Sequence, residues 1–219
     1  LGAFINNATG RGDLGPLNRA APLLAETFFS PRLMASRVNL LNPVTYAKMD
    51  PFTRKEAIRT MLSTGALATA VGGVAAMAGA EVELDPRSSD FGKFKVDNTR
   101  YSFTGGFGPY IQLAARLATN STKKGSGEIA ELNEGYKADT RKDIAEKFLR
   151  SKLAPVPGMV VAALDGKNFN GEPFDIKTDL PKSFIPFFLQ DYGEVIKEQG
   201  LTPRGVAMGA PGLFIPTQT

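Results

Sequence analysis

Residues 60–80 constrain the fold of this chain most, because none of these 21 residues carries a charge. Fifteen of them are Gly, Ala, Ser or Thr. The large apolar residues are Met61, Leu62, Leu67, Val71, Val74 and Met77. The stretch is long enough to cross a bilayer as a helix, but its four glycines weaken the helix and small residues favour insertion little. The sequence therefore predicts either a buried, close-packed helix in a soluble or oligomeric assembly or a helix that inserts in a membrane.

Small residues let two helices approach closely, and this stretch carries them at regular spacing. Ala68, Gly72 and Ala76 lie four residues apart and form one small-residue stripe on a helix. We assign the same close-packing role to Gly65, Gly73 and Gly79.

The uncharged stretch separates a basic part of the chain from a neutral one. Residues 1–59 hold eight basic and four acidic side chains, a net charge of +4, whereas residues 81–219 hold 18 of each sign. The nearest cations, Arg54, Lys55 and Arg59, are candidates for contact with DNA or lipid headgroups. The alternative is a basic surface that only water solvates. If the stretch inserts, its N-terminal side should be cytoplasmic, since the cations precede it and acidic residues follow it.

The chain contains no Cys, His or Trp. It therefore has no disulfide, no thiolate nucleophile and no zinc–thiolate site, and it lacks the commonest general base and metal ligand. Catalysis by a serine or cysteine paired with histidine is excluded, which leaves carboxylate or lysine chemistry. We expect no cofactor and no metal site.

Several local patterns resemble catalytic or binding motifs, but turns, caps and chance explain each of them more simply. They are Ser121 with Lys124, the carboxylates Asp85 and Asp90, the glycine-rich residues 105–108, the calcium-loop-like residues 165–168, and Glu128, Glu131 and Glu134 in a polar loop. No catalytic site stands out among them. We therefore predict that this segment is not an enzyme.

The hydrophobic spacing predicts a mainly α fold, with several proline-broken helices, one small β-hairpin and extended termini. A hairpin is predicted over residues 91–103, turning at Asp97 and Asn98, and residues 120–138 are expected to be a polar, disordered loop. Helices are predicted over residues 17–29, 31–41, 51–79, 109–117, 140–149, 158–164 and 181–199.

The same patterns divide the chain into four segments. Residues 1–16 should be an irregular arm, and residues 17–84 a helical segment that contains the small-residue apolar helix. Residues 85–202 should hold the hairpin and further helices, and residues 203–219 an extended tail. Because the chain begins at Leu1 without a signal-peptide start, we expect one module of a longer polypeptide.

Three parts of the sequence resemble one family of phage domains. They are INNATGRGDLG and AAPLLAETFFSPRLMASRVNLLNP within residues 5–43, DPRSSDFGKFKVDNTRYSFTGGFGPYIQLAARL at 85–117, and FLRSKLAPVPGMVVAALDGKNFNGEPFD at 148–175. They run in order along the chain and are similar to the large polyvalent protein-associated domains. Such domains are usually found near the C-terminus of very large phage and prophage proteins that are packaged in the virion and enter the host with the DNA. No catalytic residue is attached to this domain family.

The resemblance implies a non-catalytic structural module of an internal virion, or DNA ejection, protein. Several copies would pack in or near the portal or tail channel and help to form the genome-delivery conduit. The expected partners are other copies of the chain, phage portal or tail proteins, genomic DNA and the host membrane after ejection. One alternative is a DNA-associated module of a polyvalent protein that enters the host with the genome. Another is part of a cell-wall-degrading virion enzyme, which would need a glutamate placed in a cleft.

Overall fold

The structure is a computed structural model that describes residues 1–97, 99–134, 138–168 and 171–184 and the backbone of residues 217–218. Over these ranges the chain is mainly α, with one small antiparallel sheet and a second sheet of two strands. The predicted fold class is therefore confirmed.

The chain divides into two compact units. The first contains Leu1–Thr64 and Glu146–Leu180, and the second contains Gly65–Ala145 and Pro181–Thr219. These units differ from the four segments drawn from the sequence, because each unit joins stretches that are distant along the chain.

The first residues of the chain form a helix, so the prediction of an irregular arm over residues 1–16 is wrong. Helix α1 (Gly2–Ala8) packs against a later helix (Pro31–Leu41) and buries Phe4. Asn39 Nδ2 donates to the side-chain oxygen of Asn7 across this contact, at 3.2 Å. Burial against another helix overrides the glycine- and asparagine-rich composition from which the arm was predicted.

Gly12, which follows α1, forms hydrogen bonds to the helix Pro31–Leu41. The Gly12 N–H donates to Ser36 Oγ at 2.7 Å and to the Arg32 carbonyl at 3.2 Å. A Cβ atom at position 12 would lie 2.4 Å from the backbone nitrogen of Ser36. The close approach of the two backbones therefore requires glycine here.

The helix predicted over residues 17–29 is divided. A 3-10 helix (Gly15–Ala20) runs directly into α2 (Ala21–Thr27). Helix α3 (Pro31–Leu41) is confirmed, whereas the short α4 (Pro43–Ala47) was not predicted. It begins because the Asn42 side chain accepts a hydrogen bond from the Val44 N–H at 3.0 Å.

The longest helix that the structure describes is α5 (Pro51–Met77), which has 27 residues and confirms the predicted continuation into the uncharged stretch. After it come β1 (Glu81–Glu83), β2 (Lys93–Val96) and β3 (Thr99–Ser102), which pair antiparallel in that order. Residues Thr217–Gln218 pair with the free edge of β3. The β2–β3 pair is the predicted hairpin.

The remaining helix and strands of the second unit follow the hairpin. Helix α6 (Gly108–Thr119) confirms the prediction of a helix opened by Pro109. Strands β4 (Ser121–Lys123) and β5 (Ile129–Glu131) then pair antiparallel. The prediction of a disordered polar loop is wrong for these residues. Leu132, directly after β5, is 1% exposed and anchors this hairpin to the unit.

Helix α7 (Arg141–Arg150) confirms the helix predicted over residues 140–149, and a pair of hydrogen bonds caps its start. Thr140 Oγ1 accepts from the Asp143 N–H at 3.1 Å, and Asp143 Oδ2 accepts from the Thr140 N–H at 2.8 Å. This reciprocal pair is a capping box, although the acid is aspartate instead of glutamate.

The last two described helices belong to the first unit for most of their length. Helix α8 (Pro155–Asp165) begins at a proline that we expected to precede it. Helix α9 (Ile176–Phe184) includes the start of the helix predicted over residues 181–199. Residues 185–199, like most of the predicted extended tail, lie outside the described residues.

Candidate assembly surface

Helix α5 begins at a well-formed cap. The Asp50 side chain accepts a hydrogen bond from the Thr53 N–H at 3.0 Å. This bond lowers the pKa of Asp50, because it favours the charged carboxylate. Pro51 occupies the first helical position, where its missing N–H costs nothing.

Gly79 ends helix α5. Its N–H donates to the Ala76 carbonyl at 3.0 Å, and the Ala80 N–H donates to the Ala75 carbonyl at 3.0 Å. Gly79 has a φ of +86°, which glycine adopts without strain. The pattern is a Schellman motif, so the structure gives Gly79 a stop role that the sequence reasoning did not assign.

Most of α5 is open to solvent. Its most apolar 18-residue window has a mean hydropathy of 1.4, yet 6% of that window is buried. Leu62 and Leu67 are each 68% exposed, and Met77 is 83% exposed. Among the described residues helix α5 is therefore not a core helix, and they leave its apolar residues open to another surface.

One stripe of α5 does pack within the chain. Near the start of the helix Thr53 and Ala57 are buried, and in the second unit Gly72 is buried against the ring of Phe103. A Cβ atom at Gly72 would lie 3.0 Å from Phe103 Cζ. The chain itself therefore fills the space beside Gly72 with an aromatic ring, not with a second helix.

Beside this stripe α5 carries an exposed line of residues, which we call the outer face. A Cβ atom at Gly65 or at Gly73 would meet no atom within 4 Å. Ala68, the remaining small residue of the predicted stripe, lies off this line and is half-buried. The outer face consists of Ile58, Leu62, Gly65, Thr69, Gly73 and Ala76.

The hydroxyl groups along this part of α5 are already satisfied. Thr60, Thr64 and Thr69 each donate to the carbonyl four residues earlier, at 2.8–2.9 Å. Ser63 donates to the Thr60 carbonyl at 2.9 Å. Because the hydroxyl protons have partners within the helix, covering this surface leaves no donor unpaired.

The three predicted contact cations differ in their availability. Arg54 turns back toward α4 and donates to the carbonyls of Tyr46, Ala47 and Met49 at 2.9–3.0 Å. Lys55 and Arg59 are exposed and make no ion pair with any described residue. Arg54 therefore binds backbone carbonyls of its own chain, and Lys55 and Arg59 are the two cations left at the start of the outer face.

At the other end of α5 the acidic flank is partly neutralised. Glu83 pairs with Lys123 at 2.6 Å, and Asp85 pairs with Arg87 at 2.8 Å. The hydrogen bond from the Arg87 side chain lowers the pKa of Asp85 to about 2. Glu81 is exposed and has no such partner among the described residues.

An open apolar groove lies beside the C-terminal half of α5, within the second unit. Its volume is about 730 Å³. Its apolar walls come mainly from Val71 and Val74 on the helix and from Phe94 and Val96 on β2. The sequence analysis missed this groove, although the alternation in β2 is the signal for a strand with one apolar face.

The catalytic-looking patterns are occupied by structural contacts. Ser121 is buried and shares a hydrogen bond of 3.0 Å with Thr119, whereas Lys124 pairs with Glu128. Asp90 pairs with Lys93 and Arg100, both at 3.1 Å. The serine and its predicted lysine thus each bind another partner, and the aspartate has basic partners instead of a second carboxylate.

The remaining patterns are turns or exposed residues. Asp165 pairs with Arg150 at 2.6 Å, and the side chain of Asn168 accepts the Glu172 N–H at 3.0 Å. Glu131 and Glu134 are exposed. Over the described ranges, no group of three or more acidic residues is placed to hold a metal ion.

No known family model, characterised protein or solved structure matches the chain.

Proposed function

We propose that this chain is a non-catalytic structural module of a phage internal virion, or DNA ejection, protein. Several copies pack in or near the portal or tail channel and help to form the conduit through which the genome leaves. The observation that carries the proposal is α5, a 27-residue helix whose apolar window is 6% buried. An exposed apolar surface of this size indicates a site of interaction with another molecule.

The geometry of α5 supports packing of more than two copies. The outer face and the groove beside β2 are two separate apolar surfaces on α5, since they share no residue. A helix that contacts one neighbour on each of two sides extends an assembly, whereas a single surface ends at a dimer. The phage context comes from the resemblance of three long parts of the sequence to the polyvalent protein domains.

The DNA-associated module is supported less by the structure. Of its three candidate cations, Arg54 donates to three backbone carbonyls, which leaves Lys55 and Arg59. Two exposed cations supply a small part of the charge that nonspecific DNA binding needs. This second function would be favoured if the amount of chain retained on DNA fell steeply as the salt concentration rose.

Mass spectrometry of purified virions tests the proposal. Peptides from this segment should be present in intact particles, in several copies per particle, and should disappear from particles that have released their DNA. Absence of these peptides from intact particles would overturn the proposed function.

A further inference from the structure

We draw no further inference here: the strongest candidate, the open apolar groove between the C-terminal half of α5 and strand β2, carries none, because nothing in the part of the chain that the structure describes shows what covers it.

Discussion

Leucine at position 72 should destabilise the second unit, whereas leucine at position 73 should not, although the two glycines are neighbours in α5. A Cβ atom at Gly72 would lie 3.0–3.3 Å from three atoms of the Phe103 ring. A Cβ atom at Gly73 would meet nothing within 4 Å. Because both variants place the same side chain in the same helix, their difference isolates the contact with Phe103.

The expected magnitude follows from that contact. Replacing a helix-interior glycine by leucine gains about 0.7 kcal/mol of helix propensity at either position. At position 72 the leucine must also displace the Phe103 ring, and overpacking costs about 1–3 kcal/mol, with further loss if the ring becomes exposed. Gly72→Leu should therefore be about 2–4 kcal/mol less stable than Gly73→Leu. For a chain of this size the thermal midpoint should differ by roughly 4–16 °C.

Thermal unfolding followed by far-UV circular dichroism measures this difference. The protein should be kept at a few micromolar, so that association between copies does not contribute to stability. In chains that also carry Phe103→Ala, the penalty of Gly72→Leu should largely disappear, because the side chain it displaces is gone. Equal midpoints for the two leucine variants, or a penalty that persists without Phe103, would refute the assigned packing.

Three further predictions concern contacts of Gly12, Arg54 and Asp85 that were not predicted from the sequence. Gly12→Ala should lower the free energy of unfolding in urea by at least about 2 kcal/mol, because the new methyl group meets the backbone of α3. Gly2→Ala is the control, since its methyl group meets nothing, and should change the free energy of unfolding by less than about 0.5 kcal/mol. Arg54→Ala should cost about 1 kcal/mol in the same assay, since it removes three hydrogen bonds, whereas Arg59→Ala should be neutral. The pKa of Asp85 is about 2, so its ion pair contributes fully above about pH 4 and is lost as the pH falls through 2. Asp85→Asn should therefore lower the thermal midpoint at about pH 5 and make the midpoint fall less between about pH 4 and pH 2. A fall as steep as that of the unmodified chain would contradict the ion pair between Asp85 and Arg87.

Much of the helical structure was predictable because its signals are local. Asp50 followed by Pro51 marks the start of α5, and Thr140 with Asp143 marks the start of α7. Both signals act through hydrogen bonds within one turn of the chain. The alternation around Asp97 predicted the β2–β3 hairpin for the same reason. The β4–β5 hairpin was missed because each strand has three residues, too few for an alternating pattern to show, and its buried anchor, Leu132, lies outside them.

The candidate site was predictable in position but not in detail. The lack of charge over residues 60–80 pointed to α5, yet it assigned one packing role to all of its glycines. The structure divides them into Gly72 against an aromatic ring, Gly79 at a Schellman stop, and Gly65 and Gly73 on the open side. That division depends on residues distant in sequence, such as Phe103, and on a backbone conformation that composition does not encode.

The sequence by itself determined that this chain has a long helix, bounded by a cap and a glycine and uncharged from residue 60 onward, within a mainly α fold. Periodicity, capping and charge act over a few residues, so they can be read without knowing the fold. Only the tertiary structure decided that residues 1–16 begin with a packed helix and that Arg54 serves the backbone. It also decided which face of α5 is left uncovered. These outcomes depend on which distant segments meet, and contacts between distant segments are fixed by packing of the whole chain.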